Sequence, residues 1–184
     1  MLISDFLKAE TRHLHDLTEA KFNSDRLFKG DFSKDDYIRL LLHNHALLSA
    51  FESSIFSKIS EAIALDLDLR NRSKLHLVEA DLQHLNISVS TQNIHSIENP
   101  EEAWGLLYVM EGATIGGTMM AKQLSAYPEF QDFPFHYFRI YGDKTGSKWK
   151  KFKEVIDREI PETSFPVTLA GANRAYRFLL DFPL

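Results

Sequence analysis

Asn99-Pro100-Glu101-Glu102-Ala103-Trp104-Gly105-Leu106-Leu107-Tyr108-Val109-Met110-Glu111-Gly112-Ala113-Thr114-Ile115-Gly116-Gly117-Thr118-Met119-Met120-Ala121-Lys122-Gln123-Leu124 is the stretch on which the fold turns. It opens as a helix should. Asn99 is a capping residue, Pro100 sits where a missing N–H does no harm, and Glu101 and Glu102 favour the positive end of the helix dipole. The rest of the stretch is long and apolar, yet it contains Gly105, Gly112, Gly116 and Gly117. Each glycine inside a helix costs roughly 1 kcal/mol relative to alanine, and the adjacent pair Gly116-Gly117 marks a kink site. Two reasons offset such a cost: close packing against another helix, or close approach of the backbone to a ligand.

Working outward, the helical period persists on both sides. Phe6, Leu7, Leu14 and Leu17 recur at helical spacing, which predicts a first helix over about 4–22, ended by Asn23, Ser24 and Asp25. Ser33-Lys34-Asp35-Asp36 resembles a capping box and starts a second helix, with an apolar stripe from Tyr37 to Ile59. Further helices are expected over 73–85, 147–159 and 169–182, with residues 125–147 a long aromatic loop. No alternating strand pattern, internal repeat or linker intervenes. The expectation is an all-α, single-domain, multi-helical bundle over residues 1–184.

Composition narrows the function. The chain has no cysteine, which excludes disulfides, thiolate catalysis and Cys-ligated zinc or iron–sulfur clusters. Its formal net charge is −5, and its one dense basic cluster, Lys148, Lys150, Lys151 and Lys153, reads as a solvated helix face, so no nucleic-acid partner is expected. The start MLISDFLKAETRHLH lacks the basic-then-apolar pattern of a signal peptide, and no apolar run is long enough to span a membrane. A cytoplasmic location without membrane attachment is the expectation. The 14 phenylalanines serve a core or line a pocket for a flat apolar ligand.

Among eight histidines, His15 has the clearest partner: Glu19 lies at i+4 on the same helical face. A neutral imidazole that binds iron needs an acceptor for its other N–H, and Glu19 fits that part. His43 and His45, two apart, cannot share a face. No Ser/His/Asp arrangement, phosphate loop or paired-carboxylate motif is present. The residues alone lead to a helical bundle with a glycine-rich helix and a candidate histidine ligand.

Three segments resemble the heme oxygenase family, and within it the bacterial branch that makes biliverdin for bacteriophytochromes. They are Leu7-Lys8-Ala9-Glu10-Thr11-Arg12-His13-Leu14-His15 with Glu19; Tyr108-Val109-Met110-Glu111-Gly112-Ala113-Thr114-Ile115-Gly116-Gly117; and Tyr141-Gly142 with Gly146 and Trp149-x-x-Phe152. The resemblance implies a proximal iron ligand at His15 supported by Glu19. It implies a distal helix whose Gly112, Gly116 and Gly117 admit iron-bound dioxygen, and basic contacts to the heme propionates from Lys8, Lys153 and Arg158. Heme b is then both substrate and cofactor. It is cleaved to biliverdin, CO and ferrous iron with O2 and electrons from a ferredoxin- or flavodoxin-type donor, the product serving a biliverdin-using photoreceptor or iron release. Ala113 stands where other members carry a distal Asp, which leaves the source of the distal proton network undefined. It also keeps open a non-degrading heme carrier or sensor on the same fold. A TenA-like bundle and a plain helical interaction module are the remaining alternatives. The first typically uses a cysteine, and the second gives no reason for the glycines.

Overall fold

Both helix starts read from the sequence are built as capping chemistry requires. Asp36 N donates to Ser33 Oγ at 3.1 Å while Ser33 N donates to Asp36 Oδ2 at 2.9 Å, a reciprocal capping box. Glu102 N donates to Asn99 Oδ1 at 3.0 Å, with Pro100 in the first turn. In this computed structural model, which describes residues 1–90 and 93–183, these caps open the two longest helices, Lys34–Lys58 and Pro100–Leu124.

In chain order the helices are α1 (Ile3–Glu10), α2 (Arg12–Lys21), α3 (Ser24–Lys29), α4 (Lys34–Lys58), α5 (Glu61–Leu67), α6 (Leu75–His84), α7 (Pro100–Leu124), α8 (Thr145–Glu159) and α9 (Phe165–Asp181). Short 3₁₀ turns cover Leu69–Arg72, Pro128–Phe130, Gly142–Lys144 and Glu162–Ser164, and no strand occurs among the described residues. The fold is the all-α bundle expected.

Several boundaries differ from the sequence reading. The single helix expected over 4–22 is divided at Thr11, which lies between α1 and α2 and whose hydroxyl donates to Leu7 O at 2.7 Å. A side chain that bonds back to the i−4 carbonyl bends a helix. Ser24 and Asp25, read as terminators, instead begin α3, and α5 is an additional helix. α9 starts at Phe165, four residues before the expected start, with Pro166 in its first turn. α7 is helical without interruption through Gly116-Gly117.

The core gathers around α7. Residues 103–111 of α7 are all buried. α9 crosses the N-terminal half of α7 at backbone contact. A Cβ on Gly105 would stand 1.9 Å from Thr168 O, and one on Gly171 would stand 2.1 Å from Glu102 O. The aromatic segment after α7 folds inward: Phe130, Phe133, Phe135 and Phe138 surround Tyr37. Asp81 of α6 tethers that segment by accepting from His136 N (2.8 Å) and Tyr137 N (2.9 Å).

Asp36 yields a stability prediction. Burial pushes its pKa up, but hydrogen bonds from Ser33, from Asn23 Nδ2 (2.9 Å) and from Arg26 Nη1 (2.9 Å) outweigh burial and hold it below the ordinary aspartate value. A carboxyl depressed in the folded state stabilises above its unfolded pKa, and that contribution fades as pH falls. Asp36→Ala is expected to lower stability by about 1–3 kcal/mol at neutral pH. Urea denaturation should show the gap to the parent narrowing below about pH 4.

Candidate functional site

The α7 glycines divide between the two explanations open at sequence level. Gly105 packs on the α9 backbone, and a Cβ on Gly117 would stand 1.9 Å from Phe138 Cδ1, so both are packing glycines. Gly112 and Gly116 are not. A Cβ on Gly112 would be at ordinary contact, 3.6 Å from Trp149 Cη2, and one on Gly116 would meet nothing within 4 Å. Gly105, Gly112, Gly116 and Met119 lie at i, i+7, i+11 and i+14, one stripe along the helix. α9 covers that stripe at Gly105, Trp149 of α8 borders it at Gly112, and it is exposed at Gly116 and Met119. There it presents Gly116, half-exposed Met119 and, beside them, Ile115 and Ala113 to the surroundings.

α9 packs on α2 as well as on α7. The Tyr176 ring of α9 lies 6.3 Å from the His15 ring of α2, near perpendicular. At the C-terminal end of α9, Lys21 Nζ donates to Leu180 O at 2.7 Å and Leu179 O at 3.1 Å. α2 packs on α9 and on α3, and both α9 and α3 pack on α7; the surface between α2 and the exposed part of α7 is the candidate groove. His15 is half-exposed, and its Nδ1 stands 3.7 Å from both Glu19 Oε2 and Asp16 Oδ1. Leu17 and Phe28 add exposed apolar surface on α2 and α3.

Aromatic side chains line the end of the groove nearest α8. Tyr108, one turn before Gly112, packs on Trp149 with ring centroids 5.3 Å apart. Its pKa is pushed up to about 12, by burial first and then by the Asp5 and Asp157 carboxylates. Burial, followed by Tyr108, likewise raises the Tyr176 hydroxyl. Both are neutral donors at physiological pH.

Cationic groups gather at the same end. α1 and α8 run antiparallel. Ser4 N and Oγ donate to Asp157 Oδ1 (2.8 Å) and Oδ2 (2.9 Å), and the Met1 amino group meets Glu162. One turn from Ser4 is Lys8, and one turn back from Asp157 is Lys153, so the two lysines stand at the same level on adjoining helices. Lys153 Nζ sits 5.9 Å over the Trp149 ring. Neither ammonium has an ion pair or hydrogen bond among the described residues, unlike Lys148, Lys150 and Lys151, which pair with Asp68, Glu154 and Asp66.

The candidate site thus comprises His15 and Glu19 on α2, Gly112, Ala113 and Gly116 on α7, and Lys8 and Lys153 on α1 and α8. Gly117 faces Phe138 instead. Arg158, expected beside the lysines, is paired with Asp66 (2.9 Å) and Glu159 (2.8 Å) toward α5. Sequence reasoning did not single out Tyr108, Trp149 or Tyr176 for the site, because an aromatic at helical spacing reads equally as core.

It also missed a buried cluster behind α7. Glu111, next to Gly112, is fully buried. It accepts from Arg72 Nη1, from Lys74 Nζ and from Tyr141 OH (2.9 and 3.0 Å). Burial raises the Glu111 pKa, but Lys74 and Arg72 bring it below its ordinary value. The cluster ties α7 to the segments at 72–74 and 141 on the side away from the groove. Breaking a buried ion pair of this kind costs about 3–5 kcal/mol.

Two recesses lie elsewhere. One of about 530 Å³ is lined by Lys21, Arg39, His43 and Phe182 among others. Another of about 480 Å³ is lined by Phe51, His95, Arg174 and Phe178 among others. Neither carries His15 or the α7 glycines.

The family model described as heme oxygenase matches residues 1–181. A heme oxygenase of Xanthomonas campestris pv. campestris (strain 8004) is 24% identical over 151 residues, covering 82% of this chain and 90% of the relative. The NO- and CO-bound heme oxygenase of Neisseria meningitidis superposes with a TM-score of 0.76 at 21% identity, over 98% of this chain and 89% of that one. Heme oxygenase 2 of Chlamydomonas reinhardtii, without heme, also gives a TM-score of 0.76, at 14% identity over 100% and 99% of the two chains.

Proposed function

The chain belongs to the heme oxygenase family, and from that premise we propose that it cleaves heme to biliverdin, CO and ferrous iron, using O2 and electrons from an external donor. The observation that supports this best is the exposed backbone at Gly116 of α7, where a Cβ would meet nothing within 4 Å, together with half-exposed His15 and its partner Glu19 on α2. The residues present fit heme: one imidazole, apolar flanks from Ile115, Met119, Leu17 and Phe28, and two unpaired ammonium groups at one end. Bound heme supplies both the iron that carries dioxygen and the ring that is opened.

The chain's own residues bind and orient. His15 would hold the iron through one nitrogen, with Glu19, 3.7 Å from Nδ1, placed to accept the N–H of the other and so fix the tautomer. Histidine gives less electron push than a thiolate, which suits ring oxygenation better than O–O cleavage. Gly112 and Gly116 leave the distal face free for a diatomic ligand, and Ala113 adds only a methyl group. With no carboxylate at position 113, protons on this side would come through water held by backbone groups or from an Arg or Tyr elsewhere in the chain. Lys8 and Lys153 would hold the propionate carboxylates.

The electron donor is assigned to the ferredoxin or flavodoxin class, and the product to a photoreceptor or to iron release. No helix among the described residues is long and apolar enough to cross a membrane. Ala113 also favours a second reading, a heme carrier or sensor that does not degrade its ligand. Hemin is added to the purified protein, followed by a ferredoxin system in air. A Soret band that decays into biliverdin absorption with CO release supports the oxygenase, and a stable Soret band supports the carrier.

The lysines give a graded prediction. An exposed ion pair contributes about 0.5–1 kcal/mol, so Lys8→Ala combined with Lys153→Ala is expected to weaken heme binding about 5–30-fold. Arg158→Ala should leave it nearly unchanged, because that guanidinium is already paired with Asp66 and Glu159. Soret titration of the variants measures both, and equal losses would refute the assignment of Lys8 and Lys153.

A further inference from the structure

We propose that His15, Asp16 and Glu19 form a binding site for a divalent transition-metal ion in the heme-free chain, and that an ion held there excludes heme. One ligand atom from each residue lies within 4.8 Å of the others. His15 Nδ1 is 3.7 Å from Asp16 Oδ1 and 3.7 Å from Glu19 Oε2. Around a tetrahedral zinc ion with bonds of about 2.0–2.1 Å, neighbouring ligand atoms stand about 3.4 Å apart. The two His15 distances exceed this by a few tenths of an ångström, and the Asp16 and Glu19 oxygens lie within 4.8 Å of each other. All three side chains are about half-exposed and free to close that gap.

The donor set is one imidazole nitrogen and two carboxylates, which suits zinc and its first-row neighbours. Its charge is −2 against a single neighbouring cation, Arg12, whose Nε donates to Asp16 Oδ1 at 2.9 Å and Oδ2 at 3.2 Å. Arg12 is itself largely exposed and turns away readily. Three protein ligands leave room for water, as at an open zinc site.

Exclusion of heme comes from the shared imidazole. An ion on Nδ1 removes the N–H that Glu19 must hold while Nε2 ligates iron, and it sets a second positive centre one ring away from that iron. An ion on Nε2 takes the iron's own place. The competitive half of the proposal rests on the reading of His15 as the heme ligand, whereas the cation site itself does not.

The test titrates zinc chloride into the heme-free protein by calorimetry, then repeats Soret titrations with hemin at fixed free zinc. Zinc should bind one-to-one. Asp16→Asn and Glu19→Gln should each weaken it at least about tenfold, and Arg12→Ala should tighten it severalfold. With free zinc at ten times the parent's dissociation constant, the apparent heme dissociation constant should rise about elevenfold in the parent and at most about twofold in Asp16→Asn. A zinc isotherm unaltered by Asp16→Asn and Glu19→Gln overturns the site, and heme affinity indifferent to zinc overturns the exclusion. Absence of a Soret band even without zinc would overturn the heme reading instead, leaving the zinc isotherms to decide the cation site.

Discussion

His15→Ala is expected to abolish turnover of heme and to remove the spectrum of a histidine-ligated iron, with added imidazole restoring both. His15 is half-exposed and packs only edge-on against Tyr176, so its loss removes little core contact and the fold should survive. The rest of the groove also remains: the glycine stripe of α7, the apolar flanks and the paired lysines still hold the porphyrin. The variant should therefore bind heme loosely in the same place but without its axial nitrogen. The ligand field that stabilises the reduced iron toward O2 is then lost. Imidazole from solution fills the space left by the side chain, and rescue by it separates loss of a ligand from loss of structure. Unchanged turnover in His15→Ala would refute the assignment.

Gly116→Val is the second large effect, and its interest lies in what it spares. A Cβ at 116 meets no atom within 4 Å, so the substituted chain should fold, and replacing a helical glycine favours the helix. The isopropyl group then stands on the bare part of α7, in the space the distal ligand needs. Heme uptake is expected to persist in reduced form, while CO and O2 binding to the ferrous protein fall by at least about tenfold, equivalent to about 1.4 kcal/mol. Gly105→Val serves as the contrast. There the new carbon would stand 1.9 Å from Thr168 O and 2.6 Å from Ala172 N, both backbone, so that variant should lose thermal stability outright. Normal CO binding in a folded Gly116→Val protein would refute the close-approach argument, and a stable Gly105→Val would refute the packing one.

How much of this is legible in the sequence depends on how local the physics is. The starts at Ser33 and Asn99 are readable because a cap joins atoms within one turn. α3, of six residues, and α5, of seven, are not. Segments this short do not hold helical structure alone, and each depends on burying one leucine, Leu27 or Leu67, against distant parts of the chain. The same division runs through the site. His15 and Glu19 share a helix, so their spacing exposes them. Preference for Lys153 over Arg158 requires knowing that Ser4 bonds Asp157, a contact 153 residues long. Gly112 and Gly116 are equivalent to Gly105 and Gly117 in sequence, and only the path of α9 and the position of Phe138 tell them apart.

α7 and α9 meet like two girders bolted flange to flange. At Gly105 and Gly171 backbone presses on backbone, and the Cβ of an alanine would stand 1.9 Å from Thr168 O at the first position and 2.1 Å from Glu102 O at the second. A single methyl group inserted at either bolt, as in Gly105→Ala or Gly171→Ala, would therefore force the girders apart. The seating of α9, and with it the placing of Tyr176 beside His15, is thus set by two missing methyl groups that touch neither of those rings.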